Sequence, residues 1–158
     1  MAESWRLSDQ ERIDLVRRLN LSQQEQQARG PLSPREREEL DLLPAIRQPA
    51  QIDEVIAAAQ RELATFTDKP NLIDYRQGVL DAISWARGER AEAPVSGQVA
   101  EFQPPTYNEL LDEVSFVDDV SYRRVPTPMI CRRRPRYSTG VGQTLLWLVG
   151  YVDDPPVH

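Results

Sequence analysis

The sequence predicts a mainly α-helical protein, a small helical bundle or set of helical hairpins with an internal repeat and at most one small β-sheet. Two observations carry this expectation. The stretch Tyr75 to Val95 recurs without a gap at Tyr137 to Val157, an offset of 62 residues. Tyr75, Gly78, Val79, Trp85, Gly88, Pro94 and Val95 meet Tyr137, Gly140, Val141, Trp147, Gly150, Pro156 and Val157, and Ile83 meets Leu145. Each copy reads as an apolar helix closed by a glycine in the left-handed cap conformation, Gly88 or Gly150. Trp85 and Trp147, three residues earlier, are the expected core anchors, because an indole buries a large apolar area. The second observation is a series of helix-start signals followed by apolar residues at helical spacing.

The first of these is Ser8-Asp9-Gln10-Glu11, a capping box followed by Ile13, Val16 and Leu19. Ser22 and Glu25 repeat the box ahead of a polar stretch closed by Gly30-Pro31, which suits a short exposed helix. Ser33-Pro34-Arg35-Glu36 supplies an N-cap, a proline at the first helical position and an acid at the third, for a helix reaching Leu43 and stopped by Pro44. Gln51 to Phe66 places Ile52, Val55, Ile56, Ala59, Leu63 and Phe66 along one face. After the break at Asp68-Lys69-Pro70, Leu72, Tyr75, Val79, Ile83 and Ala86 form the next stripe, so the two segments are expected to pair as an antiparallel hairpin.

Beyond the hairpin, Val95 to Phe102 offers one short strand within a charged, proline-containing connection. Thr106-Tyr107-Asn108-Glu109 opens a short helix through Leu110, Leu111 and Val114, and partial alternation over Val114 to Val125 suits a strand. Pro126, Pro128 and Pro135 hold the following chain extended. The expected organisation is an N-terminal helical arm (1–49), a hairpin core with the first repeat (50–95), a linker with a short helix, a candidate strand and an arginine-rich segment (96–136), and the second repeat (137–158).

Length and charge bound the function. A chain of 158 residues fits one domain, or one small domain plus an arm. The formal charge of -6 and a pI near 4.9 exclude a protein that coats nucleic acid or anionic membrane over its whole surface. Cys131 is the only cysteine, the first residues lack the pattern of a signal peptide, and no apolar run approaches a membrane span. Cytoplasmic residence without a membrane partner is expected.

Catalytic chemistry finds no coherent set of residues. His158 is the only histidine and the last residue, which argues against a histidine-based triad or metal site. Ser138-Thr139-Gly140-Val141-Gly142-Gln143-Thr144 resembles the end of a Walker A phosphate loop, yet Gln143 stands where the lysine is required. Tyr151-Val152-Asp153-Asp154 resembles the YxDD signature of reverse transcriptases, but Pro155-Pro156 opposes the returning strand. Asp118-Asp119 reads as a solvated pair. Cys131 lies beside arginines that favour a thiolate, but without an internal histidine as base a half-buried structural thiol is the expectation. No enzymatic activity, cofactor or metal is expected, unless a cleft gathers Asp118, Asp119, Asp153 and Cys131.

Positive charge is the feature left over. Arg123, Arg124, Arg132, Arg133, Arg134 and Arg136 fall within fourteen residues of an acidic chain, flanked by Tyr122 and Tyr137. These arginines are placed to pair with the acidic stretches Glu109 to Asp119 and Asp153-Asp154, to meet an acidic protein, or to track a phosphate backbone.

Two likenesses bear on the setting. Leu32 to Leu43, LSPREREELDLL, resembles the opening of the DNA-binding domain of LuxR-type response regulators, which implies a turn and a recognition helix next. Pro44 and Pro49 fall where those would be, and a capped surface helix is the expectation. The paired pattern ending in W-x-x-G resembles a motif of short uncharacterised proteins of GC-rich actinobacteria and their phages. It implies a phage or mobile-element accessory protein, in host cytoplasm or virion. The expected function is non-enzymatic binding of a protein partner, with self-association compatible; the alternative is a DNA-binding regulator using the arginine-rich segment.

Overall fold

A computed structural model describes residues 7–40 and 46–157. Among these residues it forms α1 (Asp9–Leu19), α2 (Gln23–Ala28), α3 (Pro34–Leu40), α4 (Pro49–Thr65), α5 (Pro70–Ala86), α6 (Tyr107–Ser121), α7 (Met129–Arg133) and α8 (Tyr137–Leu148). The protein is mainly helical and packs as a small bundle. The described residues contain no strand, only an isolated antiparallel bridge between Glu92 and Val99.

The two copies of the repeat are α5 and α8 with the segments that follow them, and these helices make the most extensive pairing in the fold. Their glycines bring the backbones together. A β-carbon built on Gly78 would lie 2.3 Å from the carbonyl oxygen of Tyr137, and one on Gly140 would lie 2.1 Å from that of Tyr75. The contact is reciprocal: the same residue of each copy meets the same residue of the other, as in a two-fold interface. Val79 and Val141 are wholly buried beside it.

The helix ends repeat as closely. Gly88 and Gly150 have φ of 78° and 81°. Gly88 N–H donates to Trp85 O and Glu89 N–H to Ser84 O, while Gly150 N–H donates to Trp147 O and Tyr151 N–H to Leu146 O. This is the Schellman pattern, built twice in the same register. Trp85 and Trp147 are buried, as are Val95 and Val157 on the returning chain.

Duplication extends past the stretch legible in sequence. Helix α4 packs on α5 and α6 on α8. Buried Ile52, Val55 and Ala58 of α4 are register mates, at the same offset, of buried Val114, Val117 and Val120 of α6. The halves differ between these helices. Four residues join α4 to α5, whereas α6 reaches α8 through α7. Pro135 cannot continue a helix from α7, and Arg134 before it adopts φ -134°, ψ 80°.

Two expected strands are absent. Val114 to Ser121 belongs to α6, where Leu110, Val114, Val117 and Val120 line one helical face. Thr106 fixes that frame: its Oγ accepts Glu109 N–H at 3.3 Å, and Glu109 accepts Thr106 N–H at 3.1 Å. Val95 to Phe102 turns back at Gly97, φ 73°, instead of pairing in a sheet. Its start is held by the buried Glu113 carboxylate, which accepts Val95 N–H at 2.8 Å and Ser96 N–H at 3.0 Å.

Helix α3 is tied to α1 by ion pairs, and the end of α1 and start of α2 meet the chain after α8, where Leu19 O faces Gly150 and Gln23 N–H reaches Asp153. Buried Glu39 of α3 accepts from Arg12 Nε at 2.7 Å. Ser33 and Glu36 form the reciprocal cap of α3, whose expected continuation to Leu43 lies outside the described residues. The arm is fastened by Arg47, which is buried and stacks on Trp147. Its guanidinium donates to Trp147 O at 2.7 Å, Val152 O at 2.8 Å and Asn20 Oδ1 at 3.2 Å.

Gly78→Ala and Gly140→Ala are each expected to destabilise the protein by about 2 kcal/mol or more, because the added methyl meets backbone that cannot swing aside. Gly142→Ala is expected to stay within about 1 kcal/mol of wild type, since its methyl meets only a Val117 methyl at 3.2 Å and gains helix propensity. Urea unfolding followed by circular dichroism measures the difference.

Candidate functional site

The candidate site is the connection from α6 to α8, residues 122–136, where all six predicted arginines lie exposed. Its shape begins at the end of α6. Arg123 takes the left-handed conformation, φ 57°, that Gly88 and Gly150 occupy at the other caps. Arg124 N–H then donates to Asp119 O at 2.8 Å. A side chain in this backbone region costs roughly 1 kcal/mol relative to glycine. The chain therefore carries a cation where stability alone favours glycine.

Two arginines have acidic partners within the chain. Arg124 lies 3.3 Å from Asp119 and stacks over the Tyr122 ring at 5.0 Å. Arg134 reaches Asp74 on α5 at 3.9 Å, which ties the α7–α8 break to the first repeat. Arg123, Arg132, Arg133 and Arg136 make no ion pair among the described residues. Arg132 and Arg133 close α7, where cations suit the negative end of the helix, and Arg136 sits at the N-cap of α8. Tyr122 and Met129, 71% and 58% exposed, add apolar surface to the same connection.

Trp85, Gly88, Trp147 and Gly150 lie in the core and at the helix caps. The other sequence motifs are dispersed. Ser138, Gly140, Gly142 and Thr144 are buried in α8, with the Thr144 hydroxyl donating to Gly140 O at 2.7 Å, so the Walker-like stretch exposes no phosphate cradle. Asp119 is taken by Arg124, whereas Asp153 accepts Gln23 N–H at 3.3 Å. No group of metal-ligating side chains forms among the described residues. None of the helices is long and apolar enough to cross a membrane, again among the described residues.

Cys131 is buried, more fully than the half-buried structural thiol expected from the sequence, and burial outweighs the adjacent arginines. Burial pushes its pKa up, the Ser138 hydroxyl pulls it down and nearby Glu113 raises it again. The arginine side chains next to it in sequence point to solvent and leave the thiol protonated. Burial likewise holds the Tyr137 hydroxyl above the ordinary phenol range, reinforced by its 2.6 Å hydrogen bond to Asp81.

Sequence reasoning missed Arg47 and Glu113. Glu113 had a signal, since it falls on the apolar face of α6 between Leu110 and Val117. Arg47 had none: its partners are carbonyls and an amide side chain brought together only by folding. No family model, curated protein or solved structure matches the chain.

Arg123→Gly is expected to raise stability by about 1 kcal/mol in urea unfolding, as relief of the left-handed strain predicts. Cys131 is expected to react with a disulfide reagent at pH 8 at least about tenfold more slowly in the folded protein than in urea, because both access and thiolate fraction are reduced.

Proposed function

We propose that this protein acts by binding another macromolecule, a protein, through the connection at residues 122–136. The observation that carries this reading is the exposure of Arg123, Arg132, Arg133 and Arg136 without acidic partners among the described residues, in a chain of net charge -6. Unpaired guanidinium groups are solvated in the free protein and become strong, directional contacts when an acidic surface meets them. Tyr122 and Met129 supply apolar area beside them, and arginine, tyrosine and methionine are the residue types enriched in protein interfaces. The negative charge elsewhere opposes the approach of a long polyanion and leaves an acidic patch on a folded partner as the better fit.

Affinity capture with the full chain and with a variant changing Arg132, Arg133 and Arg136 to Glu tests the reading. A partner retained by the wild type, weakened by salt and lost with the variant is the expected outcome. Capture unchanged by the three substitutions would overturn it. Fluorescence anisotropy against labelled duplex and single-stranded DNA is the second arm. DNA binding that falls steeply with salt and vanishes in the variant would make nucleic acid the partner instead.

A further inference from the structure

The repeat contains a place where one half lays its own arginine and the other has none. After α5, the Arg90 guanidinium turns back to lie 3.4 Å from the Asp81 carboxylate and donates to Glu92 O at 3.0 Å. The same carboxylate accepts the Tyr137 hydroxyl, which Arg90 also reaches. In the other half the residues at the register of Tyr137, Asp81, Arg90 and Glu92 are Tyr75, Gln143, Val152 and Asp154. All four line one cleft of about 450 Å³ beside the end of α8, together with Tyr151 and Asp153. The halves differ here at a position inside the repeat: Val152 stands where Arg90 does, and carries no guanidinium to lay between the tyrosine and its neighbours.

We propose that this cleft receives an arginine side chain from residues 132–136 of a second molecule of this chain, so that molecules associate head to tail. The inference rests on the arginine-rich connection being a binding surface, and it names what that surface binds. The cleft offers what a guanidinium requires. Asp153 and Asp154 are exposed, make no ion pair among the described residues and supply carboxylate acceptors. Gln143 presents an amide oxygen at the register of the Asp81 carboxylate, and Tyr151, 50% exposed, presents a ring face. Among the described residues no cation lines the cleft. Two cations close by are engaged elsewhere. Arg76, stacked on Tyr75, pairs with Glu62, and Arg47, whose charge reaches Asp153, donates to Trp147 O and Val152 O. Asp153 also accepts Gln23 N–H, which leaves Asp154 the freer acid.

The donors belong to the same chain. Arg132, Arg133 and Arg136 precede α8 and the two acids follow it, with a helix of roughly 18 Å between them. No ion pair joins the two groups among the described residues. They meet when the start of one molecule's α8 approaches the end of another's. Because the two surfaces differ, the contact is heterologous, and each molecule keeps one free arginine segment and one free cleft for the next. The formal charge of -6 opposes this little at physiological ionic strength, where exposed charges more than about 8 Å apart are largely screened.

Sedimentation velocity of the full chain at physiological salt, from about 10 μM to about 1 mM, is the test. A weight-average mass that rises past the dimer with concentration is expected. Changing Arg132, Arg133 and Arg136 to Glu, or Asp153 and Asp154 to Asn, is expected to weaken association at least about tenfold with unchanged thermal unfolding, since all five positions are exposed. An equimolar mixture of these two variants is expected to form dimers and nothing larger, because one intact arginine segment and one intact cleft remain per pair. Val152→Arg, which supplies the cleft with a guanidinium of its own as Arg90 does in the other half, is expected to block association too. A wild type that stays monomeric to about 1 mM overturns the inference. So does association unchanged by the aspartate substitutions, or a mixture without dimers. Arginine-dependent capture of a different protein by a monomeric wild type removes the second molecule as partner and leaves the binding surface standing, whereas capture indifferent to the arginines removes the surface itself.

Discussion

The close approach of α5 and α8 at Gly78 and Gly140 is the constraint on which the rest of the structure depends. Each glycine receives a backbone carbonyl of the opposite helix where any other residue would place a β-carbon. Because the contact is reciprocal, one geometric solution serves both copies, and the caps and packing residues of one helix have counterparts on the other. The tryptophans, the caps and the returning valines follow from that crossing. So does the placement of α4 and α6, which pack on the two central helices with apolar residues at the same register inward.

Symmetry in packing has been combined with asymmetry in charge. At equivalent positions one half carries Glu109 and Glu113, the other Arg47 and Gln51. The first pair holds a turn of the chain itself. Arg47 instead fastens the N-terminal arm to the end of α8, where its guanidinium meets the Trp147 carbonyl of the last helical turn and the Val152 carbonyl beyond it. A buried cation is stable there because it is neutralised by oriented dipoles and stacked on an indole, although burial lowers its pKa. The duplicated scaffold thus permits two different tasks at two equivalent places.

The connection from α6 to α8 shows the same divergence. In the first half the corresponding link is a short turn into a continuous helix; in the second, Pro135 interrupts the helix and six of the fifteen residues 122–136 are arginine. The left-handed Arg123 lies within this insertion, and local strain combined with unpaired charge marks a segment whose composition is not explained by stability. That physical excess is what the proposed binding role accounts for.

Sequence by itself determined the helical class, the repeat and most helix starts, because capping boxes, N1 prolines and a fixed offset of identities are local signals. It also located the arginines, since charge can be counted without a fold. It misread Val114 to Ser121, where valine-rich partial alternation obscured a helical face that the Thr106 cap and packing on α8 select. Only tertiary structure decided that the glycines mediate a reciprocal crossing, that Arg47 lies buried at a helix end, and that Glu113 is buried against the backbone of Val95 and Ser96. Each depends on groups far apart in the chain, and their positions are fixed by packing rather than by local preference.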